Sequence, residues 1–174
     1  MRRRMKWRIP YILVSLATLA LYLAMALWSL PEIRVEADGL MPFDLRPFGY
    51  SPGAAEAFLN ALSDEGRVFY AETQHAMDAV FPVLLLAWAG WTIWLLFHGP
   101  LCWGLIALAL LGCVADYSEN AAVARLLEGF DADLAVTASR WTMVKSAAAA
   151  VVYSAILWRV ARLIWRRVFN RGAG

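Results

Sequence analysis

Apolar residues fill four long stretches of the chain, at about 9–30, 78–98, 101–120 and 134–158, with turns or polar segments between them. The first, Ile9 to Leu30, holds about 20 residues, the length a helix needs to cross the hydrocarbon of a bilayer. The second stops at His98-Gly99-Pro100, a strong turn signal, and the third begins directly behind it at Leu101. The pattern predicts an all-α integral membrane protein. Its expected form is a four-helix transmembrane bundle, one domain over residues 1–174. Beyond Trp158, Arg159, Arg162, Arg166 and Arg167 are interleaved with Leu163, Ile164, Val168 and Phe169. That alternation predicts a basic interfacial helix over 159–171, resting on anionic lipid headgroups.

The longest segment between spans is 31–67. It begins as a Pro- and Gly-punctuated loop containing Phe43-Asp44-Leu45-Arg46-Pro47-Phe48-Gly49-Tyr50. Ser51-Pro52 then reads as a helix start, Ser as N-cap and Pro at the first helical position. Ala54, Phe58, Leu59 and Leu62 would form one apolar side, so a short amphipathic helix is expected in this first extracytoplasmic loop, across the mouth of the bundle. A further helix starts near Ser63-Asp64-Glu65 and runs into the second span.

Charge fixes an expected orientation. All 14 acidic residues lie between Glu32 and Asp133, whereas ten of the 16 basic residues lie at the two ends, from Arg2 to Arg8 and from Arg159 to Arg171. By the positive-inside bias both ends are cytoplasmic, N-in and C-in, as an even number of spans requires. Trp7, Trp94, Trp103, Trp158 and Trp165 then fall near the cytoplasmic boundary, an interfacial belt. A cleaved signal peptide is the rival reading of the first span, but its apolar run exceeds a typical h-region. Basic ends also occur in nucleic-acid binders; here they flank apolar spans, so no nucleic-acid partner is expected.

Composition agrees: 61% of residues are hydrophobic and 17% are charged, against about 25% charged in soluble domains. Cys102 and Cys113 stand on one predicted helix, about 16 Å of rise apart, too far to bridge. No C-x-x-C, phosphate loop, nucleophile elbow or flavin site is present.

The informative residues are ionisable groups at membrane depth, which are expensive there and mark function by default. At about 1.5 Å of rise per residue, Asp116 on the third span and Lys145 on the fourth lie at one depth, about 21 Å from the cytoplasmic boundary. Pro82 lies near the same level, and Asp78, Glu119, Asn120 and Arg140 lie about a turn higher. Asp116, Glu119 and Asn120 share a helical face, as do Thr142, Lys145 and Ser146. A polar pocket of Asp78, Asp116, Glu119, Asn120, Arg140 and Lys145 is therefore expected, open to the outer side. Pro82 is expected to free a backbone carbonyl into it.

Three functions fit such a pocket. It binds or moves an ion, a proton or a polar lipid headgroup, within a homo-oligomer if alternating access is required. Alternatively it is the site of an intramembrane lipid-modifying enzyme, with His75, Asp78, Asp116 and Glu119 as ligands for zinc in a metal-dependent hydrolase. The H-x-x-D and D-x-x-E spacings behind that reading are common by chance. In the third case the protein is a structural or accessory membrane subunit, and the Asp116–Lys145 pair only sets helix register.

Phe43-Asp44 with Arg46-Pro47-Phe48-Gly49-Tyr50-Ser51, Asp78 with Phe81-Pro82, and Asp116-Tyr117-Ser118-Glu119-Asn120, together with Lys145, resemble blocks of a group of small bacterial four-span membrane proteins. The resemblance covers roughly residues 43 to 150. It implies a multi-pass protein of the bacterial inner (plasma) membrane and brings no activity with it.

The orientation is testable with single cysteines, Gly39→Cys or Gly172→Cys, in a background carrying Cys102→Ser and Cys113→Ser. An impermeant thiol reagent applied to intact cells should label position 39 and leave 172 unlabelled. Labelling of 172 alone, or of both, would refute N-in/C-in.

Overall fold

The computed structural model describes residues 7–169, so the basic residues Arg2, Arg3, Arg4, Lys6 and Arg171 lie outside the described region. Four helices are long and apolar enough to span a membrane: α1 (Arg8–Glu36), α3 (Asp64–Leu96), α4 (Gly99–Glu128) and α5 (Ala132–Phe169). Between α1 and α3 lie a 3₁₀ turn at Phe43–Leu45 and the short helix α2, Pro52–Ala61. The helices outrun the apolar stretches that predicted them. Pro31 does not end α1, because a wide π turn at Met25–Ser29 precedes it and the Leu30 N–H bonds back to the Met25 carbonyl. An extra residue in the turn makes room for a ring that an α-helix would not accept. Helix α4 continues past Asn120 because Ala122, Val123, Leu126 and Leu127 are buried there. The basic segment after Trp158 continues α5 as far as Phe169, with no break in the helix before it.

Ser51 caps α2 by accepting the Ala54 N–H at 3.2 Å, and Ser63 caps α3 by accepting the Gly66 N–H at 2.9 Å. Helix α2 turns Ala55, Phe58 and Leu59 inward, so the buried residue of the Ala54-Ala55 pair is the second, one position from the expected stripe. Gly66 lies where α3 crosses the end of α1. A Cβ there would stand 2.5 Å from the Glu36 Cβ, so only glycine permits the crossing.

Apolar packing falls into two bodies. One joins Ile33, Phe43, Phe58, Leu59, Tyr70, Val123 and Leu126 at the end carrying α2. The other joins Ala89, Ile93, Phe97, Cys102, Leu105, Val152 and Ile156 at the opposite end. Each end also carries an arginine cap on carbonyls that a helix terminus leaves free. Arg67 reaches the Leu127 and Leu59 carbonyls at 2.7 and 2.8 Å, and Arg159 reaches the Leu96 carbonyl at 3.0 Å. Cys102 and Cys113 are both free thiols.

Helix α1 packs on α3, α3 on α4 and α4 on α5, with α3 also touching α5; α1 and α5 share no extensive packing. The bundle is therefore open along one side. Side-chain hydrogen bonds hold α1 to α3: Tyr11 to Thr92 at 3.0 Å, Thr18 to the Leu84 carbonyl at 3.3 Å, and Ser29 to Gln74.

Pro82 stands inside α3 and has no N–H to offer the carbonyl four residues back. That carbonyl belongs to Asp78, and the Asn120 amide of α4 donates to it at 3.4 Å. The Tyr117 hydroxyl donates to the neighbouring Ala79 carbonyl at 2.7 Å. The proline thus opens the α3 ladder and α4 fills the opening, which fixes the rotation of one helix against the other.

This exchange yields a double-mutant cycle. Asn120→Ala should destabilise the protein in detergent by about 0.5–1.5 kcal/mol, the scale of interhelical hydrogen bonds in membranes. The same change in a Pro82→Ala background, where residue 82 can satisfy Asp78 itself, should do so by clearly less. Equal losses in both backgrounds would mean that Asn120 does not compensate the proline.

Candidate functional site

Between the two apolar bodies lies a layer of charge centred on Lys145. Its ammonium is 2.9 Å from Asp116 Oδ1, 3.3 Å from Asp44 Oδ1 and 2.5 Å from Glu119 Oε2. Helix periodicity accounts for the α4 contribution, since Asp116 and Glu119 are three residues apart and project on one side. Glu119 is fully buried, and its other oxygen accepts from the Thr142 hydroxyl at 2.7 Å. Thr142 lies three residues before Lys145, so α5 presents donor and cation together.

Asp44 enters from the loop, 101 residues from Lys145 in sequence. It stands in the 3₁₀ turn at Phe43–Leu45, and two anchors hold that turn in place. Phe43 is buried among Tyr50, Phe58 and Tyr70, with ring centroids at 4.8, 4.9 and 6.5 Å. Arg46 lies 5.6–5.8 Å from the Phe43, Tyr50 and Phe58 rings and donates to the Met41 and Ala54 carbonyls. The Tyr70 hydroxyl donates to the second Asp44 oxygen at 2.8 Å. Gly49, at φ +82°, lets the loop close on α5: a Cβ there would stand 2.7 Å from Ser139 Oγ, the atom that accepts the Tyr50 N–H at 2.8 Å. Burial, and then the neighbouring Glu119 charge, push the Tyr50 phenol up from its ordinary range, so it stays a neutral donor. Its hydroxyl is buried without a partner among the described residues.

Asp78 is 5% exposed and is held differently from the other acids. Gln74, one turn earlier, donates to both its oxygens at 3.0 and 3.1 Å, and receives the Ser29 hydroxyl on its own oxygen. Ser29 and Gln74 each end a π turn, Met25–Ser29 in α1 and Tyr70–Gln74 in α3. The extra residue of such a turn re-aims the side chains around it. No cation lies within ion-pair distance of Asp78 among the described residues.

Asp44, Asp78, Asp116, Lys145 and Ser146 head a cavity of about 280 Å³. The rest of its wall is almost wholly apolar, including Phe81, Leu85, Leu86 and Val152. Seen from the cavity the head is acidic, three carboxylates to one ammonium, with Glu119 behind Lys145.

Of the residues singled out in the sequence, Asp116, Glu119 and Lys145 are in direct contact. Asp78 shares their cavity, and Asn120 serves the α3 backbone. Arg140 is exposed and makes no ion pair among the described residues. It stands at the expected depth on the wrong face: five residues from Lys145 is about 140° around a helix. His75 is half-buried, forms no side-chain hydrogen bond and is absent from the cavity wall. Among the described residues no three His, Cys, Asp or Glu side chains are grouped to hold a metal ion, so the set His75, Asp78, Asp116 and Glu119 is not assembled. The point where the carboxylates converge is taken by the Lys145 ammonium. Asp44, Tyr70 and Gln74 were missing from the predicted pocket. Tyr70, Gln74 and Asp78 are spaced by four on one helix, a signal the sequence did offer.

The three blocks that carried the resemblance, around Asp44, Asp78 and Asp116, thus meet at one cavity, the first and third of them in contact with Lys145. No protein-family model matches the chain, and neither a curated protein nor a solved structure matches it.

Because Lys145 is shared, its removal should exceed the loss of any one partner. Lys145→Met should destabilise the protein by roughly 3 kcal/mol or more, the scale of stranding buried charge, and Asp116→Asn by less. The Asp116→Asn/Lys145→Met double variant should recover only part of the Lys145 loss, since Asp44 and Glu119 stay uncompensated. Unfolding of the three variants in detergent measures this. Strictly additive losses would mean that residues 116 and 145 do not interact.

Proposed function

We propose that this is a membrane-embedded binding or carrier protein that takes a proton or a small cationic group at the acidic head of its cavity. In the same reading the protein lies in a bacterial inner membrane with both ends cytoplasmic, and the cavity head faces outward beneath the 31–67 loop. The supporting observation is the imbalance of charge: Asp44, Asp78 and Asp116 line one cavity with a single ammonium among them. Carboxylates at membrane depth are expensive unless partnered, and an excess of them is resolved by taking up positive charge. Lys145 occupies part of that role as a tethered cation. The hydrogen bonds from Tyr70 and Gln74 hold Asp44 and Asp78 in place, which lowers the ordering cost of binding. An enzyme that activates water on a metal has less support, because His75 stands apart from the carboxylates and the Lys145 ammonium takes the point where they converge.

The reading is tested on the detergent-purified protein with chloride salts of sodium, potassium, ammonium, methylammonium and guanidinium at constant ionic strength. A cation at about a hundred times its Kd stabilises by about 2.7 kcal/mol, roughly a 5–11 °C rise in Tm for a chain of this size. Asp78→Asn should remove most of that rise. In proteoliposomes holding a pH-sensitive dye, the proton version predicts a flux that Asp78→Asn abolishes. Absence of both a cation-dependent rise and an Asp78-dependent flux would overturn the proposal.

A further inference from the structure

Resting on the reading above, we infer that the ligand is a membrane amphiphile, an amine head on a single hydrocarbon chain, admitted sideways between α1 and α5. Those two helices share no extensive packing, yet both line the cavity: Tyr22, Met25, Ala26 and Leu30 from one, Lys145, Ala148, Ala149 and Val152 from the other. The unclosed side of the bundle is therefore the side on which the cavity lies, and it faces the hydrocarbon in which a chain already resides.

The wall explains why the space exists. Ala89, Ala109, Gly112, Ala148 and Ala149 stand where larger side chains would fill the gap between helices. A hydrocarbon chain entering from the bilayer would make close apolar contacts along this limb. At about 280 Å³ the cavity is at the lower end of ligand pockets, which run from about 300 to 1,000 Å³. It takes one chain, whose far end can leave through the gap.

The head group follows from the charges. Lys145 already faces three carboxylates, so a phosphate or carboxylate head would gain little from it and be repelled by Asp44, Asp78 and Asp116. An ammonium head is attracted by all three and gives Asp78 the cation it lacks. Because the chain passes from lipid to an apolar wall, it contributes little net affinity and serves to align and concentrate the head. Selectivity then resides in the amine.

The test uses dodecylamine carrying a photoactivatable diazirine near the middle of its chain, its N-acetyl derivative and the matching dodecanoic acid, each with the full-length protein in lipid nanodiscs. Sites of labelling are mapped by peptide mass spectrometry. The amine should label cavity-wall positions of α1 and α5, such as Met25, Ala26, Ala149 and Val152, about tenfold more than either other probe, as a charge-assisted hydrogen bond implies. Asp78→Asn should reduce that labelling several-fold. Ala149→Phe, which fills the apolar limb and leaves every charge in place, should do the same and decides the matter if Asp78→Asn fails to fold. Equal labelling by all three probes, or labelling confined to the outer surfaces of the helices, would overturn the inference. If methylammonium stabilises the protein while the amphiphile labels no better than its neutral derivative, the chain is wrong and the cation reading stands. If neither amine binds, both fall.

Discussion

One ammonium group holds this fold at its centre. Lys145 contacts carboxylates from the first long loop and from two positions of α4, so a single charge joins three parts of the chain. Removing charges from water is costly, and their mutual attraction repays it only where the geometry is close and the remaining lone pairs are satisfied. Those conditions are met here. Thr142 serves Glu119, Tyr70 serves Asp44, and apolar packing lies above and below the charge layer.

Around that centre, departures from regular helix geometry have consistent partners. Two π turns end at Ser29 and Gln74, which bond each other and pass the chain of donors to Asp78. Pro82 frees the Asp78 carbonyl and Asn120 takes it up. Asp78 is thus held at both its side chain and its backbone. Irregular backbone within a membrane span persists only where protein re-satisfies its polar groups, and here it does so around the carboxylate that has no cation of its own.

The arrangement gains a functional sense from its asymmetry. Three sides of the bundle are closed by packing and the fourth is open beside a cavity with an acidic head and an apolar limb. The proposed binding role accounts for the excess of carboxylates together with the apolar limb beside them.

The spans, and the common depth of Asp116 and Lys145, were legible in the sequence because helix rise and bilayer thickness are local constants. Length and hydropathy determine where a helix crosses, and counting residues determines how deep a side chain lies. Shared faces such as Asp116 with Glu119 follow from the same periodicity, which also marks Arg140 as turned away from Lys145. Tertiary structure alone decided the rest. Asp44 reaches Lys145 through a loop whose path depends on Phe43 and Arg46 packing against α2, contacts between segments far apart in the chain. The two π turns shift register within helices whose composition shows no break, and the opening between α1 and α5 is a property of four helices together. Covalent geometry sets what each helix presents and at what height; which faces meet, and which pair is left apart, is settled only when all the helices compete for the same interior.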